Sequence, residues 1–177
     1  MFKVGDTVMY VGSGVCQIAD IRPETFSGRQ INYYVLRPVD SENATYYCPV
    51  ESNKIKMRPL LTRDEILELI QHLPEAETDW IENDQLRKIE YGKVLKDGEP
   101  GALMRMIRAL YLDKEQKRQM GRKFHVADEK VMREAERMLH GELAYVLHLN
   151  PDQVVSFIAR ELQKAGPACI SGPDRDK

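Results

Sequence analysis

Cysteine is scarce in this chain: Cys16, Cys48 and Cys169 are odd in number and widely spaced, and none falls in a Cys-x-x-Cys pair. That argues against a disulfide framework or a zinc site, and a reducing cytoplasm is the simplest setting. No run approaches the roughly 18 apolar residues of a membrane span. Met1-Phe2-Lys3 opens directly into a strand-like pattern, so no signal peptide is expected. No Gly-rich loop links a strand to a helix. Gly98 and Gly101 lie between two helical segments with no Lys-Ser/Thr after them, which excludes a phosphate-binding P-loop. The four histidines, His72, His125, His140 and His148, show no metal-ligand pairing. His140 and His148 are two turns apart, too far to share one ion on a straight helix. Acidic residues are frequent but define no cleft. The expectation is a protein that is not an enzyme and takes no cofactor or metal.

A strong charge of either sign is also missing. The net charge of −2 argues against coating nucleic acid by bulk attraction. Its distribution says more. Thr62 to Pro100 holds 5 basic and 11 acidic residues, whereas Gly101 to Leu149 holds 10 and 7. Within the second stretch Arg105, Arg108, Lys114, Lys117, Arg118, Arg122 and Lys123 face only Asp113 and Glu115. A local cationic face suits phosphate contact with weak non-specific affinity. The plainer alternative is a solvated helix face.

Met1 to Arg58 reads as all-β. Lys3 to Tyr10, Val15 to Ile21, Ile31 to Leu36 and Thr45 to Val50 are β-branched and aromatic runs. Gly5-Asp6, Gly12-Ser13-Gly14 and Phe26-Ser27-Gly28-Arg29 punctuate them as turns. Ile55 and Met57 alternate with Lys54, Lys56 and Arg58 as a half-buried edge strand would. About five short strands suggest a small, strongly bent barrel of the SH3 or Tudor type, which serves as a docking module. Pro49 marks a strand edge or end, and an unpaired edge is a natural place for a partner strand to add.

The remainder reads as about five helices. Thr62-Arg63-Asp64-Glu65 has capping-box spacing and opens a helix that Pro74 stops. Asp97-Gly98 ends a second helix, and Pro100 begins a third with a buried stripe of Leu103, Met104, Ile107, Leu110 and Tyr111. A fourth follows from Val126, with Val131, Ala135, Met138, Leu139, Glu142 and Val146 on its inner side; Glu142 is the exception among them. Asn150-Pro151-Asp152-Gln153 starts a fifth. The expected organisation is α+β in two domains: a barrel over residues 1–58, a helical domain over 59–165 and a disordered tail over 166–177.

The chain has one tryptophan, Trp80. Asp79 and Glu82 stand at capping-box spacing, which predicts a helix from Asp79 to about Lys96 with Trp80 in its first turn. A ring there projects past the helix end instead of into a core, and Arg87 and Lys88 follow within two turns. Leu86, Ile89, Val94 and Leu95 fall on one side of this helix. An aromatic wedge beside cations is one way to hold an opened DNA step; the alternative is that Trp80 is core.

Taken together, Phe2-Lys3-Val4-Gly5-Asp6-Thr7-Val8-Met9-Tyr10, Gly14, Tyr34-Val35-Leu36, Pro49, Trp80, Arg105 to Tyr111 and Asp128-Glu129-Lys130 through Gly141-Glu142-Leu143-Ala144 resemble the CarD/CdnL family of bacterial transcription regulators. The same β module occurs at the polymerase-docking segment of transcription-repair coupling factors, which carry helicase motifs absent here. The resemblance implies a Tudor-like domain that binds the β subunit of RNA polymerase, with Arg29, Tyr46, Tyr47, Cys48 and Pro49 as candidate contacts. It also implies a helical domain on promoter DNA, with Trp80 as a minor-groove wedge at the upstream edge of the bubble. Arg87, Lys88, Arg122, Lys123 and Lys130 are the candidate phosphate contacts. Some relatives carry basic residues directly after the tryptophan, where this chain has Ile81, Glu82 and Asn83. The competing expectation is a protein–protein adaptor that does not bind DNA.

Overall fold

A computed structural model describes residues 1–41, 43–51, 57–74 and 80–164, apart from the side chain of Arg29. The expected tail, Cys169, the Glu75-Ala76-Glu77 linker, Asp79, and Lys54 to Lys56 lie outside the described residues. The architecture is α+β: a five-stranded antiparallel sheet, then five helices. The strands are β1 (Thr7–Tyr10), β2 (Gly14–Phe26), β3 (Arg29–Pro38), β4 (Tyr46–Pro49) and β5 (Met57–Pro59). They lie in the order β4-β3-β2-β1-β5.

The five strands expected of a small bent barrel are present, and the sheet they form is not closed. Closure needs the two outer strands to pair. Here both are short and both end in proline, which has no N–H to extend a ladder. The centre is far longer. β2 and β3 form a hairpin through Ser27 (φ 53°) and Gly28 (φ 75°), the two left-handed residues that a tight hairpin turn requires. A register shift between Ile18 and Asp20 bends β2.

The helices are α1 (Arg63–His72), α2 (Asp84–Asp97), α3 (Pro100–Gln119), α4 (Val126–Leu147) and α5 (Val154–Lys164), the last preceded by a 3-10 turn at Pro151–Gln153. Thr62 and Glu65 make the reciprocal cap expected for α1. Pro100 opens α3, with the Glu99 carboxylate accepting from the Gly101 N–H at 2.8 Å. α2 starts later than its capping signal suggested. Asn83 is the cap, accepting from the Leu86 N–H at 2.9 Å, so Trp80 precedes the helix instead of sitting in its first turn. The rotation of α2 differs too. Arg87 and Tyr91 face inward; of the four apolar residues expected on one side, Val94 and Leu95 pack against the shared core, whereas Leu86 and Ile89 are 49% and 57% exposed.

Three apolar clusters organise the molecule. Val8, Cys16, Ile18, Tyr34, Leu36 and Cys48 form the core of the sheet. Ile66, Ile70, Leu139, Leu143, Val154 and Phe157 join α1, α4 and α5. The third is shared: Met9 and Val15 of the sheet pack with Tyr91, Leu103, Met106, Leu110, Met132 and Met138 of the helices. Because strand side chains alternate, β1 buries Val8 on one face and Met9 on the other.

Two polar contacts and one glycine fix this junction. Glu142 is fully buried, and its carboxylate accepts from both terminal nitrogens of Arg58, each at 2.6 Å, and from the Leu61 N–H at 2.9 Å. Arg137 donates to the Gly12 carbonyl at 3.0 Å. Gly98 ends α2 at φ 63°, and a Cβ there would lie 2.7 Å from Val11 Cγ2 in the β1–β2 turn. Glycine is needed both for the backbone and for the approach of the sheet. Among the described residues, no helix is long and apolar enough to cross a membrane.

Candidate functional site

Trp80 is half-buried on the segment before α2, at the rim of the shared core. Two cations stand by its ring. The Arg87 guanidinium carbon is 4.5 Å from the ring centre and Lys117 Nζ is 5.6 Å away. Lys117 also sits 5.7 Å from the ring of Phe124, and Lys114 is 5.8 Å from that same ring. The result is a row of alternating aromatic rings and cations contributed by the pre-α2 segment, α2, α3 and the α3–α4 connection.

Arg87 does not match the expectation of a cation turned toward phosphate. It is 2% exposed. Its Nε and Nη2 donate to the two carboxylate oxygens of Asp128 at 3.1 and 2.8 Å. Nη2 also donates to Asp84 at 2.7 Å, and Nη1 to the Ile81 and Glu82 carbonyls at 2.6 and 3.4 Å. All five guanidinium donors are thereby occupied. The hydrogen bonds that Arg87 donates to Asp128 and then to Asp84 raise its pKa further, against the opposing effect of burial. Arg87 in turn holds the Asp84 carboxyl below the ordinary range, helped by His125 and Lys117. Lys117 is tied to Asp113 at 2.7 Å.

The remaining basic candidates are exposed. Lys88 leaves α2 roughly 100° around the helix from Arg87. Arg122 and Lys123 lie in the α3–α4 connection immediately before Phe124, and so beside the aromatic row. Lys130 stands on α4 two residues past Asp128, turned toward the opposite side of the helix. Residues that sequence reasoning did not gather into this site are Asp128, Phe124 and Lys117 in its role beside the ring. One signal for Asp128 was present. It precedes Met132, Ala135, Leu139 and Glu142 at i+4, i+7, i+11 and i+14, so the inner stripe of α4 carries two acids, each meeting an arginine.

The second candidate surface is the β4 edge. β4 pairs with β3 on one side, and its other side has no strand partner among the described residues. The Val50 N–H donates to the Asn32 carbonyl at 2.9 Å, so alternation along the strand points the amide groups of Tyr47 outward. Pro49 offers only a carbonyl there. Tyr46 and Tyr47 are each 37% exposed. Tyr46 leans on Tyr10, and Tyr47 stands edge-on to Phe26 and Tyr33. Arg22 caps this cluster, donating to the Tyr47 hydroxyl at 3.3 Å while paired with Glu24 at 2.7 Å. Cys48 is buried in the sheet core, which leaves its side chain unavailable to a partner. Arg29 opens β3, and its side chain lies outside the described part of the structure.

Residues 2–61, spanning all five strands, match the family model of the CarD-like/TRCF RID domain. That domain is an RNA polymerase-interacting domain, which supports a polymerase-interacting role in transcription for this chain. The sheet of this chain therefore carries a CarD-like/TRCF RID domain.

Proposed function

We propose that this chain docks on the β subunit of RNA polymerase through the β4 edge and stabilises the promoter open complex. In this reading its helices contact DNA at the upstream edge of the bubble, and Trp80 is the minor-groove wedge. Lys88, Arg122, Lys123 and Lys130 meet phosphates. The protein acts by binding, without catalysis, in the cytoplasm, and reaches the nucleoid through polymerase. The observation that carries the reading is a half-buried single tryptophan outside any helix, flanked by two anchored cations.

The physical argument has three steps. A mildly acidic chain with a few exposed cations binds DNA weakly by itself. Tethered to polymerase, it meets the promoter at high effective concentration, so modest contacts suffice. Inserting a ring into an intact base step costs a few kcal/mol, whereas an already opened step spares that cost. The wedge therefore favours the open population. Contacts to phosphate carry no base information, so little sequence readout is expected.

Trp80→Ala tests this directly. The expected result is polymerase affinity within about twofold of wild type and an open-complex lifetime shortened on the order of tenfold, since one inserted ring is worth roughly a kcal/mol or more. An unchanged lifetime removes the wedge. One observation favours a second reading, the protein–protein adaptor: Leu86 and Ile89 give α2 an exposed apolar strip. A salt-dependent supershift on forked promoter DNA with polymerase present separates the two. Its absence supports the adaptor.

A further inference from the structure

We propose that Arg87 and Asp128 are positioning residues for Trp80: their buried ion pair is a shelf that fixes where the indole stands. The inference rests on the wedge reading above and extends it to two residues that do not themselves meet DNA. Trp80 lies outside regular structure, so no helical hydrogen bonds fix its backbone. A ring so placed would sample many orientations, and holding it in one before binding removes that entropic cost from the binding step.

The geometry supplies the restraint from three helices. α2 brings the guanidinium to 4.5 Å from the ring centre. α4 brings Asp128, which grips two of the guanidinium nitrogens. The Ile81 carbonyl, one residue past the tryptophan, accepts from the same guanidinium at 2.6 Å. The side chain that faces the ring thus also holds the backbone beside it. α3 adds Lys117, itself pinned by Asp113. A planar fork with every donor engaged cannot turn away from the ring, which a lysine in its place could do. The shelf also explains why a chain with Ile81-Glu82-Asn83 after its tryptophan keeps a cation at the ring: Arg87 reaches back from the first turn of α2.

The bland alternative is that the pair only staples α2 to α4. The double variant Arg87→Met/Asp128→Leu distinguishes them, because apolar replacements of similar volume restore packing between helices but not the shelf. Since Trp80 is the only tryptophan, acrylamide quenching of the full-length protein reads its exposure without any label. The expected result is a quenching constant raised about twofold or more. With polymerase, the open-complex lifetime should fall roughly three- to tenfold, with polymerase affinity held within about twofold. Wild-type quenching in a folded double variant overturns the proposal. So does a wild-type lifetime in the double variant beside a shortened one in Trp80→Ala, and then the wedge reading survives alone. A wild-type lifetime in Trp80→Ala overturns both. Arg87→Lys, which keeps the charge but loses the fork, is read in the same way should the double variant melt below the assay temperature.

Discussion

At the scale of single residues, the two buried carboxylates of α4 carry different duties. Glu142 joins the sheet to the helices, and Asp128 holds the arginine under the tryptophan. Glu142→Gln keeps the shape but leaves Arg58 facing a neutral amide at a position where the carboxylate was fully buried. Destabilisation of roughly 1.5–3 kcal/mol is expected in chemical denaturation, because two charge-assisted hydrogen bonds are weakened while Arg58, only partly buried, keeps some access to solvent. His140, two residues away, provides a pH test. Burial pushes its imidazole below the ordinary range, so the native state refuses a proton that the unfolded chain accepts. Its contribution is fully present above the ordinary histidine pKa and is lost as pH falls below it. Stability should drop below about pH 6.5 with a slope of at most about 1.4 kcal/mol per pH unit, and His140→Phe should flatten that limb. Glu142 stood out in the sequence because it interrupts an apolar stripe. Arg87 did not, because a basic residue on a short polar helix looks solvated until the acid 41 residues away is placed beside it.

At the scale of elements, capping chemistry was legible and rotation was not. Thr62 with Glu65, Pro100, Gly98, and Asn150 with Gln153 all do what their spacing suggested. The start of α2 moved because Asn83 is also a capping residue, and Arg87 ties down the turn before it. Leu86, Ile89, Val94 and Leu95 share one side in the sequence pattern, yet only Val94 and Leu95 pack on the core. The burial of Arg87 and Tyr91 leaves Leu86 and Ile89 turned to solvent. The strand β4 yields a test of its own. If Tyr47 presents the outward amide, Tyr47→Pro removes the donor without breaking the ladder to β3, since proline is tolerated where the N–H faces solvent. Polymerase affinity should fall on the order of tenfold, and further than in Tyr47→Ala, which keeps the amide. Equal losses in the two variants would assign the contact to the ring alone.

At the scale of the whole molecule, the sheet and helices share a core that neither completes alone. Met9 and Val15 are among its buried members, Arg58 and Glu142 bridge it, and Val11 closes against Gly98. Thermal unfolding should therefore be one transition. Tyrosine near-UV dichroism, which reports largely on the sheet, and Trp80 fluorescence, which reports on the helices, should share a midpoint. Two separated midpoints would show that the halves melt independently. This coupling was not readable in the sequence. The consecutive Val8-Met9-Tyr10 of β1 hints at two covered faces, but nothing in a strand of four residues says what covers the second.

The outer margin of β4, which has no strand partner among the described residues, has a consequence for the protein when it is alone. The outward amide and carbonyl of Tyr47 and the carbonyl of Pro49, beside two half-exposed tyrosines, can pair with an extended chain, including that of a neighbouring identical molecule. Purified alone and concentrated, the protein is expected to self-associate along this side, and an extended peptide that pairs with this edge should return it to a monomer.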